Sequence, residues 1–305
     1  MRVTFHGVRG SAPAPGAATV KYGGDTPCVE VASAGRRLFL DAGSGMRNVR
    51  VESDEPGEFD LIVSHYHYDH LIGLPFFEPL WRKGGRLRIW APRLDGVAPQ
   101  EAIERIFSPP YCPVELANTP TKVEIRAYTP GASWRIAKDL NVSTAAHAHP
   151  GGAASIKIES GSASLVYATD VEIAAPGQAG ALAQFAAGAS LFIVDAMSTD
   201  EEAEARRGWG HSTWREAARV AAAARVERAA LFHHDPRRKD CDLDALEAAA
   251  RQEAPQAFFA RQETAFDLGC ALTASPPRDT YPRSKGECGY GDAADPVFHC
   301  ARGDP

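Results

Sequence analysis

The chain has 305 residues, of which 44% are hydrophobic and 24% charged, and its net charge is −6. That is an ordinary globular composition, long enough for one large domain or two modest ones. The acidic balance argues against broad, nonspecific nucleic-acid binding, which needs a basic footprint. No apolar run reaches the roughly 18 residues of a membrane span, so no membrane association is expected.

The opening Met1–Phe5 segment reads as a strand and not as a secretion signal. Strands are predicted at Val3–His6, Cys28–Ala32 and Arg37–Asp41, with a Gly- and Pro-punctuated link between the first two. Asp60–Ser64 is a further apolar strand that runs into a histidine cluster. Leu71–Trp81 reads as the start of a helix that Pro75 and Pro79 disturb. A strand at Arg86–Ala91 and a helix at Ala98–Phe107 lead into a Pro-rich loop, Ser108–Pro120, a candidate rim for a site. Strands follow at Lys122–Ala127, Leu140–Ala146, Ser155–Ser160, Ser164–Ala168, Leu191–Asp195 and Arg228–Phe232. Helices are predicted at Gln178–Ala187, Thr213–Ala224 and Asp242–Glu253. From about Ser275 apolar residues become sparse and an irregular tail is expected. The six cysteines (Cys28, Cys112, Cys241, Cys270, Cys288 and Cys300) show no C-x-x-C spacing, which reads as free thiols of a cytoplasmic protein.

The segment His65-Tyr66-His67-Tyr68-Asp69-His70 carries the chemistry. Side chains two apart in an extended segment point the same way, so His65 and His67 can grip one cation. If the chain then turns helical, Asp69 and His70 reach a second. Imidazole and carboxylate together are the donor set zinc favours.

With this cluster directly after an apolar strand, the sequence resembles the metallo-β-lactamase superfamily over roughly residues 1–272. It is most similar to a phosphodiesterase-like branch that opens with segments like Gly7-Val8-Arg9-Gly10-Ser11 and Tyr22-Gly23-Gly24-Asp25-Thr26-Pro27-Cys28. That branch includes cyclic-nucleotide and phosphoribosyl cyclic-phosphate phosphodiesterases and tRNA 3′-processing endonucleases. The resemblance implies an α/β fold, the metallo-β-lactamase αββα sandwich of two mixed β-sheets flanked by helices. It implies one hydrolase domain over 1–272 and an irregular tail over 273–305.

The resemblance also implies a ligand set. His65, His67 and His149, the last in His149-Pro150-Gly151-Gly152, would hold one cation. Asp69, His70 and His233 would hold the other, and Asp170 at a strand end would bridge them. His147 and His234 stay open as alternatives to His149 and His233. Asp41, in Asp41-Ala42-Gly43-Ser44-Gly45, would support the ligands from behind. Asp69 and His211 are the candidate catalytic residues, His211 lying in Gly210-His211-Ser212-Thr213, where the hydroxyls also suit a helix cap. The cofactors would be two divalent metal ions, zinc first, with manganese, iron or cobalt as alternatives. Arg9 and Ser11 either contact a phosphate or shape their glycine-rich loop, and Tyr66 and Tyr68 are candidates to line the pocket.

The function implied is hydrolysis of a small or cyclic phosphodiester by a water shared between the two cations, in a cytoplasmic homodimer. A tRNA 3′-end endonuclease is the alternative, not favoured: only 21 positions separate His149 from Asp170, too few for the tRNA-clamping arm that many such relatives carry there. A lactone or thioester hydrolase on the same site is a further alternative.

Overall fold

The computed structural model describes residues 1–51 and 57–269. β1 (Arg2–Gly7), β2 (Cys28–Ser33), β3 (Arg36–Leu40), β4 (Glu58–Ile62), β5 (Arg86–Pro92) and β6 (Lys122–Tyr128) lie side by side in chain order in one sheet. β7 (Ser133–Ala137), β8 (Leu140–His147), β9 (Ala153–Ser160), β10 (Ala163–Ala168), β11 (Leu191–Asp195), β12 (Ala229–Phe232) and β13 (Ala257–Phe259) do the same in a second. β14 (Ala265–Asp267) returns to pair antiparallel with β1. Each sheet begins with antiparallel hairpins and ends with parallel strands, the change falling after β3 in one and after β10 in the other. The two halves of the chain therefore repeat a topology that no sequence repeat announces.

Alternation along the strands sorts side chains into layers. Leu38 and Leu40 point between the sheets, where they join Val29, Ile156, Leu165, Ile193 and Phe232. Phe39, between them in sequence, points outward and meets Phe77 edge-on at 5.3 Å. In β10, Leu165 and Tyr167 face the inter-sheet core, while Val166 and Ala168 face the helices α2 (Gln178–Phe185), α4 (Trp214–Ala223) and α5 (Asp240–Glu253). α1 (Pro99–Ile106) covers the outer face of the first sheet through Ile103. The result is the expected αββα sandwich, with apolar residues on both faces of the parallel strands as covered sheets require.

Several local expectations are corrected. The interval Leu71–Trp81 forms no α-helix; 3₁₀ turns occupy Leu74–Phe76 and Glu78–Trp81, because Pro75 and Pro79 lack the N–H that a longer ladder needs. The strands β7, β13 and β14 and the single-turn α3 (Asp200–Ala203) were not expected. The Ser108–Pro120 loop buries Cys112 and Leu116 against the outer cluster with Ile103. Cys28 and Cys112 are free and buried, whereas Cys241 is disulfide-bonded, against the expectation of free thiols throughout. The expected tail from residue 273, with Cys288 and Cys300, lies outside the described residues, as does Cys270.

Candidate metal centre

The candidate residues sit where strands of both sheets end. Asp41 follows β3, His65 follows β4 by a short extended link, Asp170 follows β10, Asp195 closes β11 and His233 follows β12. Asp41, Asp170 and His233 adopt left-handed backbone conformations, with φ of 59°, 55° and 60°. Such conformations cost a non-glycine residue about 1–3 kcal/mol and persist where the surrounding structure holds them. Here each one turns the chain sharply out of a strand and leaves the side chain at the sheet end.

Three groups of donors result, and Asp170 belongs to all of them; the third joins Asp195 and His211 to Asp170 and His233. His65 and His149 face its Oδ1, with His65 Nε2 at 3.8 Å and His149 Nε2 at 3.9 Å, and His67 belongs to the same group. Asp69, His70 and His233 gather at its Oδ2, with His70 Nε2 at 3.1 Å and His233 Nε2 at 3.2 Å. Asp69 Oδ2 lies 3.1 Å from His70 Nε2 and 3.2 Å from His233 Nε2, and it accepts the Ser11 N–H at 2.8 Å. The 3₁₀ turn Tyr68–His70 supplies the bend that separates the first pair of histidines from Asp69 and His70. His65, Asp69, His70, Asp170 and His233 are buried, while His67 is exposed, so the centre opens on the His67 side.

The hydrogen bonds behind the ligands fix their tautomers. Asp41 is fully buried and accepts from Ser64 N at 2.7 Å, Ser64 Oγ at 2.7 Å, Tyr167 OH at 2.9 Å and His70 Nδ1 at 2.7 Å. Because Ser64 Oγ donates to Asp41, it accepts from His65 Nδ1 at 3.0 Å. His149 Nδ1 donates to the Gly210 carbonyl at 3.0 Å. In each of these three imidazoles Nδ1 is committed to a partner, which leaves Nε2 to face the cluster as the ligating atom. At His70 burial disfavours the imidazolium, but the Asp69, Asp170 and Asp41 carboxylates more than offset this and raise its pKa well above the ordinary histidine value. A metal ion there would displace a proton. Burial pushes His65 well below the ordinary histidine range and His149 down to about 4, so both are neutral. The buried Nε2 atoms of His65 and His70 make no hydrogen bond. Buried polar atoms are rarely left so. Lone pairs converging from His and Asp on two centres that share one carboxylate fit a pair of divalent cations.

His147 is not part of the cluster. Its Nδ1 pairs with Ser155 Oγ at 2.8 Å and its Nε2 with the Asp170 carbonyl at 3.1 Å. His234 turns away to the Ala260 carbonyl at 2.7 Å. Arg9 is buried, and its guanidinium donates to the carbonyls of Gly23, Asp235 and Arg238; it shapes its loop and does not reach for a phosphate. Gly10 lies so close to a ligand that a Cβ there would stand 2.4 Å from His233 Nδ1. Tyr66 is half-buried and bonds the Pro92 carbonyl, whereas Tyr68 is 82% exposed.

His211 stacks on His233 with ring centroids 5.0 Å apart and donates from Nδ1 to Asp195 Oδ2 at 2.9 Å. Burial disfavours its imidazolium, but the Asp195 carboxylate more than offsets this and raises its pKa to about 9. Sequence reasoning missed Asp195 as anything but a strand end. It accepts His211 Nδ1, Ser212 N, Asp170 N and Met197 N, and so ties the β10 and β11 ends to the His211 segment. The available signal was that β11, like the strands before Asp41 and Asp170, is an apolar run closed by an aspartate. Thr213 caps α4 in a reciprocal pair with Glu216, while Ser212 Oγ bonds Val171 O and Ile173 N.

A family model described as "Beta-lactamase superfamily domain" matches residues 36–234. A ribonuclease Z from Brevibacillus brevis is 38% identical over 105 residues, 34% of this chain and 31% of that protein. The match thus spans about a third of the relative's length. Among solved structures, the short form of human tRNase Z superposes with a TM-score of 0.65 at 16% identity, over 88% of this chain and 99% of that one. A diphosphatase from the PhnP family gives 0.64 at 16% identity, over 88% and 98%. At such identities the structural likeness establishes the fold.

Proposed function

The chain belongs to the beta-lactamase superfamily, and from that premise we propose that it is a dinuclear-metal hydrolase cleaving a small or cyclic phosphodiester. The observation that carries this is Asp170, whose two oxygens face two separate sets of ligands. His65, His67 and His149 would hold one cation and Asp69, His70 and His233 the other, with zinc the first choice and manganese, iron or cobalt the alternatives. Divalent cations bound there would supply Lewis acidity and lower the pKa of a water toward ~7.

The chain's own residues do the rest. Asp41, directly and through Ser64, keeps His70 and His65 in the ligating tautomer. His211, anchored to Asp195 by Nδ1, presents Nε2 as the proton donor for the departing oxygen. His67 lies on the open side, where a substrate enters.

A phosphodiester is favoured because a similar protein is named a ribonuclease. A small one is favoured because β9, β10 and the two-residue turn Gly161–Ser162 account for most of the interval between His149 and Asp170. The ribonuclease Z likeness supports a second reading, a tRNA 3′-end endonuclease. Metal-replete protein should be assayed side by side on bis(p-nitrophenyl) phosphate, 2′,3′- and 3′,5′-cyclic nucleotides, an unprocessed tRNA and a panel of lactones and thioesters. Turnover of the small phosphodiesters is expected. Turnover of tRNA alone selects the second reading, and turnover of lactones or thioesters alone overturns both.

The same reading makes the enzyme a cytoplasmic homodimer, as closed homo-oligomers are common among soluble proteins. A monomer by light scattering removes the dimer. No helix among the described residues is long and apolar enough to cross a membrane.

A further inference from the structure

Trp209 is a large aromatic residue that stays 52% exposed, two positions before His211. Its loop is nevertheless held from several sides. Glu172, two residues after Asp170, accepts Gly208 N on one carboxylate oxygen at 2.9 Å and Gly210 N on the other at 3.1 Å. Those two glycines flank Trp209 and take φ of 81° and 83°. The Gly210 carbonyl holds His149 Nδ1, and a Cβ on Gly210 would stand 2.2 Å from that atom. The Glu172 N–H donates to Ala148 O at 3.0 Å, which ties the latch to the segment that carries His149.

The indole is backed as well. The Arg206 guanidinium carbon lies over the Trp209 ring, 5.9 Å from its centroid. Arg206 is itself buried and fixed by Asp235 Oδ2 at 2.8 Å and Ser198 Oγ at 3.2 Å. One ring face thus rests toward an anchored cation, and the ring remains half open to solvent. Solvent alone gives no reason to fix an indole in this way.

We propose that Trp209 is a stacking platform for a planar ring of the substrate, with Glu172 as the positioning residue that holds the platform beside His149 and His211. The substrate class is then a phosphodiester that carries a nucleobase. The inference rests on the phosphodiesterase reading and narrows it. Base–aromatic stacking is tolerant of base identity and large enough to be measured as a change in affinity.

The test compares two diesters with the same leaving group, thymidine 5′-monophosphate p-nitrophenyl ester and methyl p-nitrophenyl phosphate. In Trp209→Ala the preference for the thymidine ester should fall about tenfold, through KM and not kcat, the lower range of a lost stacking contact. Trp209→Phe should keep most of the preference. Glu172→Ala should lose the preference too, together with a fall in kcat on both esters, because the same latch sets the Gly210 carbonyl on His149 Nδ1. Glu172→Gln, which retains one acceptor oxygen, should be intermediate. Calorimetric binding of thymidine 5′-monophosphate against inorganic phosphate, on the full-length protein, gives the same comparison without turnover. It separates failure of the platform from failure of the phosphodiesterase reading. The proposal is overturned if Trp209→Ala affects both esters alike or neither, or if it leaves the nucleotide's advantage over phosphate intact.

Discussion

Replacing Asp41 by asparagine isolates what a buried carboxylate does behind the metal ligands. The left-handed φ of 59° suits asparagine, so the turn after β3 should survive. Of the four donors to Asp41, three reach Oδ2 (Ser64 Oγ, His70 Nδ1 and Tyr167 OH) and one, Ser64 N, reaches Oδ1. The NH₂ group of the introduced amide must face one of these sets. It will face Ser64 N, which loses a single bond but sets two donors against each other at a separation that was 2.7 Å. Losing one charge-assisted bond and leaving a buried donor unpaired costs about 2–4 kcal/mol. The His70 tautomer, now held by a neutral oxygen, is less strongly fixed, and weakening such a partner lowers metal affinity about 10–100-fold. Urea denaturation of metal-free protein measures the first effect, and competition with a fluorescent zinc chelator measures the second. An unchanged zinc affinity in Asp41→Asn would refute the claim that Asp41 orients the ligands.

Other outcomes follow from the same contacts. Gly210→Ala should lower activity at least about tenfold, because the new Cβ would stand 2.2 Å from His149 Nδ1 at a φ of 83° that disfavours alanine; steady-state kinetics checks this. Chelation of the metal should lower the thermal midpoint and added zinc should restore it, since a ligand bound only by the folded state stabilises it by mass action. Burial alone would raise the pKa of Asp25, but bonds from Asn48, Ser44 and Gln262 and the nearby Arg47 hold it below the ordinary carboxylate range. A depressed folded pKa gives stability that is complete above the unfolded value of about 3.9 and is lost as pH falls through the folded one. The stability difference between the parent and Asp25→Asn should therefore shrink as pH falls from about 5 to below 3, by denaturation of both proteins across that window.

How much of this could be read in the sequence varied with the physics of each element. The central strands were legible because burial on both faces makes them continuous apolar runs, as in Leu191–Val194 and Ala229–Phe232. The edge elements β13 and β14 were not, since three residues carry no period. The histidine cluster was legible because its residues are adjacent in the chain. His149 and His147 could not be separated by chemistry or face alone; the structure separates them through Ser155 and Gly210, both distant in sequence. Asp195 and Glu172 went unread for the same reason: each looks like a strand-end or loop acid until the folded chain brings the His211 loop to it.

The central claim is that one carboxylate joins two metal sites. Elemental analysis after equilibrium dialysis against zinc tests it most directly. Two zinc ions per chain are expected in the parent protein, with both lost or weakened together in Asp170→Ala. Zinc that stays well below one per chain in the parent, or two ions retained at full affinity without Asp170, would contradict it.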